Sequence, residues 1–150
     1  MKVIYNDGHV AECPEDEELH VIRHTAAHIL AQAVKRLYPE AHFAYGPATE
    51  KGFYYDVDLG DKKLSDEDLP AIEAEMAKIV KETLPIKPFV LSREDAVKLM
   101  EERGETYKVE HIGDLPEDAV LSFYQQGEYI DMCVGPHLTY TKALKAFKLT

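Results

Sequence analysis

The longest helical pattern of the chain runs from Leu19 to Tyr38. At ~100° per residue its apolar side chains gather on one side, as the core-facing stripe of an amphipathic helix does. The helix is expected to end there because Pro39 disfavours helical geometry at the residue before it. The predicted core-facing residues are Ile22, Ala26, Ile29, Leu30, Ala33 and Leu37.

Two later segments carry helix-start signals. Ser65-Asp66-Glu67-Asp68 has the form of a capping box and predicts a helix that continues to about Thr83. Ser92 is a favourable cap for a shorter helix, which Gly104 is placed to end. The buried side of the first of these helices is predicted to consist of Leu69, Ile72, Met76, Ile79 and Val80.

The remaining alternating segments indicate strands. Val3–Tyr5 and His9–Ala11 flank Asn6-Asp7-Gly8, which is a strong hairpin signal, and Gln125-Gln126-Gly127 suits a second hairpin turn. Helices and short strands without regular βαβ alternation predict an α+β fold, in which an antiparallel sheet packs with the long helix and two further helices. Further strands are expected at residues 53–58, 107–111, 119–124 and 128–133.

Composition limits the class of protein. A chain of 150 residues makes one domain of ordinary size, and no apolar run approaches the ~20 residues that span a bilayer. The two cysteines, Cys13 and Cys133, have no framework spacing, so we expect a soluble cytoplasmic protein without a membrane partner. The net charge of −11 argues against broad binding of a nucleic-acid backbone.

Two histidines stand one helical turn apart in the long helix. His24 and His28 lie ~40° apart around the helix axis, on the side opposite the apolar stripe. Their neighbours Ala27 and Ala31 are too small to fill the space beside an imidazole ring. The pair is therefore either one edge of a cleft or two solvated surface histidines, and it needs partners to become a site.

A second group of polar residues lies near the end of the chain. Asp131 and Cys133 share one face of a predicted strand, and Gly135-Pro136 forces a turn that can bring His137 back beside Cys133. With His24 and His28 this makes an inventory of three imidazoles and one thiol. Such a set suits zinc, and it equally suits a metal-free polar pocket that orients a water molecule. Spacing alone leaves both alternatives open.

The chain from about Leu19 to Thr150 closely resembles the amino-terminal editing domain of bacterial-type threonyl-tRNA synthetases. The HxxxH and CxxxH pairs alone are shared with alanyl-tRNA editing proteins, whereas the GFYYD and YKV segments favour the threonyl family. The matching segments are residues 22–24 with His28, Gly46-Pro47, Gly52-Phe53-Tyr54-Tyr55-Asp56, residues 104–108, 129–133, Gly135-Pro136-His137 and Phe147-Lys148-Leu149.

The resemblance implies hydrolysis of the ester in seryl-tRNA that carries the threonine anticodon. Serine lacks one methyl group of threonine, which is worth only ~1–3 kcal/mol of discrimination, so a second site must remove the errors. The resemblance places His24, His28, Cys133 and His137 in the pocket. Asp131 would hold the substrate amino group or a water molecule, Lys108 the terminal ribose or the oxyanion, and Tyr55 would line the pocket. No cofactor would be required, although zinc remains possible; direct attack by water needs fewer assumptions than a nucleophilic Cys133.

The partner implied is the single-stranded 3′ end of a tRNA, which can be bound without a broad basic face. The family usually has arginine where this chain has Val134, and we expect residues 1–13 to form at most a hairpin in place of the family's amino-terminal ubiquitin-like domain. We therefore expect residues 1–18 to form a hairpin and linker and residues 19–150 the editing domain. The chain would be a piece of a longer synthetase, whose remaining domains bind ATP and make threonyl-tRNA. Two alternatives are a free-standing zinc hydrolase of another mischarged tRNA and a non-catalytic module that binds tRNA ends.

Overall fold

The computed structural model describes residues 1–43, 49–50, 52–60, 63–116, 118, 121–133, 135–144 and 146–149. Within them the chain forms an α+β fold, as the pattern predicted. The helices are α1 (Glu18–Leu37), α2 (Leu69–Glu82), α3 (Arg93–Glu102) and α4 (Thr106–Asp114). The strands are β1 (Lys2–Ile4), β2 (Val10–Glu12), β3 (His42–Phe43), β4 (Val57–Asp58), β5 (Ile86–Leu91), β6 (Leu121–Gln126), β7 (Tyr129–Met132) and β8 (His137–Leu138).

The strands form small antiparallel sheets with the orders β2-β1-β8, β3-β4 and β5-β6-β7. Helix α1 packs against α2 and β8, and the main apolar core lies around them. A smaller apolar cluster lies on the other side of β6, where α3 and α4 pack. Because β6 and β7 separate the two clusters, one face of β7 is available to a site beside α1.

Helix α1 has the predicted bounds to within one residue, but its buried surface is wider than the predicted stripe. Leu37 is 37% exposed, whereas His28 is only 2% exposed. The expectation that both histidines lie away from the packed side of the helix is therefore wrong for His28. The reason is tertiary: β8 and β7 cover the polar side of α1, which periodicity within one helix cannot reveal.

The two capped helices begin and end as predicted. The Ser65 and Asp68 side chains form the capping box, Thr83 ends α2 with a φ of 53°, and the Ser92 hydroxyl accepts a hydrogen bond from the amide of Asp95. Gly104 has a φ of 71°, a conformation that favours glycine, directly after α3. The chain can therefore turn sharply into α4.

The predicted strand at residues 107–111 is wrong, because this segment belongs to α4. Its buried residues are Lys108 and Ile112, which are four positions apart, as the buried side of a helix requires. The segment is short enough for alternation and helical spacing to be confused. The fold thus contains three α-helices besides α1 among the described residues, one more than expected.

The other strand predictions need smaller corrections. Only Val57–Asp58 of residues 53–58 is a regular strand, and residues 119 and 120 lie outside the described part of the chain. The hairpin between β6 and β7 turns at Gly127 and Glu128, since Gln125 and Gln126 are still paired in β6. Gly127 has the positive φ, 59°, that this turn needs.

The predicted amino-terminal hairpin is present as β1 and β2, with Val3 opposite Ala11. Strand β1 also pairs with β8, which places Ile4 opposite His137. Gly46-Pro47 and Val134 lie outside the described residues. No helix in the described part of the chain is long and apolar enough to cross a membrane.

Candidate functional site

The two predicted residue pairs meet in one cluster. The ring centroid of His137 lies 4.2 Å from that of His24 and 4.3 Å from that of His28, and the two α1 rings are 5.3 Å apart. The Sγ atom of Cys133 is 3.1 Å from Nε2 of His137. One donor atom from each of these four residues lies within 4.8 Å of the other three. The cluster stands between α1 on one side and the end of β7 with β8 on the other.

Thr25 and Tyr124 hold His137 in place, and the sequence analysis identified neither of them as a site residue. Its Nδ1 atom is 3.0 Å from the hydroxyl of Thr25, which also accepts a hydrogen bond from the amide of Leu138 at 3.1 Å. The ring of Tyr124 packs edge-on against the imidazole, with 4.5 Å between centroids. Thr25 follows His24 in α1, so its position inside the HxxxH segment is the only sequence signal that could have identified it.

Asp131 is the centre of a second buried group beside the histidines. One of its carboxylate oxygens lies 2.9 Å from Nζ of Lys108. The other accepts hydrogen bonds from the hydroxyls of Tyr55 at 2.5 Å and Tyr129 at 3.1 Å. The same oxygen is 3.5 Å from Nε2 of His28, which joins this group to the histidine cluster.

Lys108 reaches the site from α4. Its side chain is 9% exposed, and its Nζ atom donates to the hydroxyl of Tyr55 at 2.8 Å as well as contacting Asp131. The sequence placed this lysine in the site by resemblance but on the wrong element, a strand. Strand alternation places Tyr129 on the same face as Asp131 and Cys133, but the sequence analysis did not assign Tyr129 to the site.

Burial governs the charge state of the histidines. It lowers the pKa of His24, and it holds those of His28 and His137 well below the usual range. Repulsion between the neighbouring rings acts in the same direction, since a proton on one disfavours a proton on the next. All three imidazoles are therefore neutral near pH 7 and can accept a hydrogen bond or bind a metal ion.

The pKa values of the Cys133 thiol and of the Tyr55 and Tyr129 hydroxyls are raised, in contrast to those of the histidines. Burial, followed by the charge of Asp131, raises the pKa of Cys133 well above its usual range. The same two causes raise the pKa values of Tyr55 and Tyr129. Cys133 is thus a protonated thiol near neutral pH, which is a poor nucleophile, and both tyrosines remain hydrogen-bond donors.

The donor set of His24, His28, Cys133 and His137 fits zinc in kind, since imidazole and thiolate are its usual ligands. The Nδ1 atom of His28 has no hydrogen-bond partner among the described residues, which leaves one buried ring nitrogen for a ligand. A tetrahedral zinc ion holds its ligands roughly 3.3–3.8 Å apart, so atoms separated by up to 4.8 Å would have to close around it. The thiol would also have to lose its proton.

The arrangement can support ester hydrolysis. Neutral imidazoles can hold and accept a proton from a water molecule, a lysine ammonium can stabilise a developing oxyanion, and a buried carboxylate can bind an ammonium group. All three functions lie within one set of contacts around Asp131 and His137.

Comparisons with known proteins point to aminoacyl-tRNA synthetases. Residues 121–150 match the family described as the threonyl and alanyl tRNA synthetase second additional domain. The chain is 61% identical over 136 residues to the threonine–tRNA ligase of Clostridioides difficile, covering 90% of this chain and 21% of that protein. It is 58% identical over 135 residues to that of Carboxydothermus hydrogenoformans, with coverage of 90% and 21%. It is 57% identical over 151 residues to that of Clostridium novyi, with coverage of 99% and 24%.

These matches confirm the resemblance to threonyl-tRNA synthetases that the motifs indicated. The chain spans about a fifth of the length of the curated relatives it matches, 21–24%.

Proposed function

We infer that this chain is the editing region of a threonine–tRNA ligase and hydrolyses the seryl ester of mischarged threonine tRNA. The printed names of the relatives support the enzyme class, and the buried site supports the hydrolytic role. The observation that carries the proposal is the joined group of Lys108, Asp131 and three neutral histidines. Burying charged and titratable groups together is costly, and such groups are concentrated at functional sites.

Such an activity compensates for a physical limit on the selectivity of the synthetic site of a ligase. A site that accepts threonine cannot reject serine by more than ~1–3 kcal/mol, because serine only lacks a methyl group. A second pocket can exclude threonine by the volume of that methyl group. The ester bond to tRNA is activated, so a positioned water molecule and an oxyanion donor are sufficient for its hydrolysis.

Asp131 binds the substrate amino group in this proposal. Its carboxylate is buried and accepts two tyrosine hydrogen bonds, which fix its orientation. An α-ammonium group is a compact cation that a carboxylate recognises by a charge-assisted hydrogen bond. This contact would place the ester carbon beside the histidine cluster, since the same carboxylate oxygen lies 3.5 Å from His28.

Lys108 stabilises the negative charge that develops on the ester oxygen. Its ammonium group carries three N–H donors, and Asp131 and Tyr55 hold it in place. A preorganised donor of this kind typically contributes 10²–10³-fold, or about 3–4 kcal/mol, to a reaction of this class. The ribose hydroxyl of the terminal nucleotide is a second group to which the ammonium of Lys108 can donate a hydrogen bond.

The histidine cluster positions the attacking water and receives its proton. His24, His28 and His137 are neutral. Both ring nitrogens of His137 already have partners in Thr25 and Cys133, so His24 and His28 are the imidazoles that accept a hydrogen bond from water in this proposal. Cys133 stays protonated and serves as a wall and a hydrogen-bonding partner of His137. Attack by water is therefore favoured over a covalent acyl-cysteine intermediate.

If zinc is bound, His24, His28, Cys133 and His137 would hold it. The ion would then supply Lewis-acid polarisation of the ester carbonyl. In our proposal the protein side chains are sufficient, and activity does not depend on zinc.

The tRNA 3′ end is the proposed partner, and further ligase domains with ATP-dependent activity would act on the same tRNA in the cytoplasm. The acidic chain carries a charge of −11, so it should bind free tRNA weakly by itself.

The test is single-turnover deacylation of seryl-tRNA with the threonine anticodon, at protein concentrations high enough to overcome weak binding. We expect the chain to hydrolyse the ester far faster than buffer does, with and without a chelator. Lys108→Ala should lower the rate constant about 10²–10³-fold. A folded chain that gives only the buffer rate would contradict the proposal, and loss of activity on chelation would overturn its metal-free form.

A second function is favoured by one observation, the four-residue donor group that could hold a metal ion. A zinc-dependent hydrolase of alanine tRNA carrying the wrong amino acid would use the same four ligands. The family match names both threonyl and alanyl synthetases, so it does not separate the two. Equal hydrolysis of seryl esters on alanine and threonine tRNA, together with stoichiometric zinc in the purified protein, would favour this alternative.

A further inference from the structure

The amino-terminal hairpin touches the site at its turn. The Oδ1 atom of Asn6 accepts a hydrogen bond from the amide of Gly135 at 2.9 Å and another from the hydroxyl of Tyr124 at 2.6 Å. Gly135 lies between Cys133 and His137, and the Tyr124 ring packs against His137. One side-chain oxygen at the start of the chain therefore connects the turn that precedes His137 with the tyrosine that packs on its ring.

We propose that Asn6 is a positioning residue for this site, a role that rests on the hydrolytic function proposed above. It holds the turn that presents His137 to Cys133 and to the two α1 histidines. Asn6 itself touches none of the reacting groups in this scheme. Residues 1–13 accordingly act as part of the hydrolytic unit and do more than lead into α1.

The geometry of the hairpin supports this role. Strand β1 pairs with β8, where Ile4 lies opposite His137 and Val3 opposite Leu138. Val3 is fully buried in the main core, so β1 is anchored independently of its turn. The hairpin thus fixes His137 twice, through the backbone of β8 and through the Asn6 contact to the preceding turn.

The hairpin turn does not need Asn6 for its own conformation. Asp7 accepts hydrogen bonds from the amide of His9 at 3.0 Å, and its carboxylate is 2.5 Å from the His9 ring. The amide of Gly8 donates to the carbonyl of Tyr5, and Gly8 has the positive φ, 90°, of a tight turn. The Asn6 side chain is instead committed to Gly135 and Tyr124.

The turn at Gly135 is tightly packed. A Cβ atom on Gly135 would lie 1.9 Å from the hydroxyl oxygen of Tyr124, so no side chain fits there. The Tyr124 hydroxyl, the Gly135 backbone and Asn6 Oδ1 therefore form one interlocked group. Loss of the shared acceptor leaves the tyrosine hydroxyl without its acceptor and the glycine amide with only the Tyr124 oxygen, which loosens the turn.

The experiment compares Asn6→Ala, Asn6→Asp and Asp7→Ala in the whole chain. Aspartate keeps an acceptor oxygen at the same place. Asp7 is the exposed neighbour, and among the described residues its hydrogen bonds are to His9 within the hairpin. Single-turnover hydrolysis of seryl-tRNA gives the rate constant and the half-saturating protein concentration. Hydrogen exchange of the Gly135 amide and the NMR signals of the His137 ring report on the turn itself.

We expect Asn6→Ala to lower the rate constant about tenfold to a hundredfold, the size of effect produced by ångström-scale misplacement. The half-saturating concentration should stay near that of the unaltered chain. Exchange at Gly135 should accelerate, and Asn6→Asp should restore both the rate and the protection. Asp7→Ala should keep most of the rate and of the Gly135 protection, because the backbone hydrogen bond from Gly8 to Tyr5 still closes the hairpin turn.

Unchanged hydrolysis and Gly135 exchange in Asn6→Ala would overturn the proposal, as would equal losses in all three variants. If Asn6→Ala fails to fold, Asn6→Asp decides: a slow rate in this folded variant contradicts the acceptor role. If the unaltered chain does not hydrolyse seryl-tRNA, the proposed function fails. Gly135 exchange and the His137 signals then still decide whether Asn6 holds the turn.

Discussion

The buried ion pair of Lys108 and Asp131 gives the sharpest prediction about energetics. Their side chains are 9% and 2% exposed, and the charged atoms are 2.9 Å apart. At that distance and an effective dielectric constant of ~20, the Coulomb attraction is on the order of 6 kcal/mol. Desolvation of both groups offsets much of it, so the net value of the pair is small.

Removal of only one partner is strongly destabilising, because the other charge stays buried without compensation. Lys108→Met and Asp131→Asn should each lower the free energy of unfolding by about 3–5 kcal/mol. The double variant should lose clearly less than the sum of the two, since it leaves no orphaned charge. Because the net value of the pair is small, we expect a coupling energy of at least about 3–5 kcal/mol between the two positions, the size of one single loss.

Denaturant unfolding of the four proteins, followed by circular dichroism, measures this cycle. Lys98→Met is the matched control, because Lys98 is an exposed lysine on the neighbouring helix α3, and it should change stability by less than about 0.5 kcal/mol. Additive losses, or single losses no larger than that of the control, would refute the claim that the pair is mutually dependent. Hydrolysis should be strongly reduced in all three site variants, whatever their stability.

Three further predictions follow from the packing. His28→Ala should abolish hydrolysis and lower the free energy of unfolding by about 2–4 kcal/mol in a denaturant titration, because the His28 ring is only 2% exposed. His24 is half-buried, so His24→Ala should abolish hydrolysis at a smaller cost in stability. Equal stability losses in the two variants would contradict this. Gly135→Ala should lower the melting temperature and the hydrolysis rate because its Cβ would overlap Tyr124, and unchanged melting would show that the turn is not tightly packed. Gly113→Ala in α4 meets no atom within 4 Å and should raise stability by about 0.5–1 kcal/mol, so a destabilised Gly113→Ala would refute the open space beside it.

Local signals predicted much of the fold. The capping box at Ser65, the cap at Ser92 and the glycine turn at Gly8 lie where the sequence placed them, because each depends on contacts within a few residues. The helix α4 was mistaken for a strand, since its pattern is short and its buried members include a lysine. A buried Lys108 makes sense only once Asp131, 23 positions later in the chain, is known to be its partner.

The site, like the fold, was predicted from the sequence only in part. Spacing paired His24 with His28 and Cys133 with His137, and resemblance added Lys108, Asp131 and Tyr55. The structure brings all seven into one connected group. Thr25, Tyr124 and Asn6 support that group through contacts between distant segments, such as the 129 positions between Asn6 and Gly135. No periodic pattern encodes such contacts, so only the folded chain reveals them.

The central claim is that this pocket removes serine and spares threonine. Threonine tRNA charged with each amino acid, in single-turnover deacylation by the same chain, tests it most directly. Both substrates share the amino, hydroxyl and ester groups, so only steric exclusion of one methyl group can separate them. That exclusion is worth about 1–3 kcal/mol, which predicts seryl-tRNA hydrolysis faster by roughly 10–200-fold. Equal rates on the two substrates, or faster loss of threonine, would contradict the account.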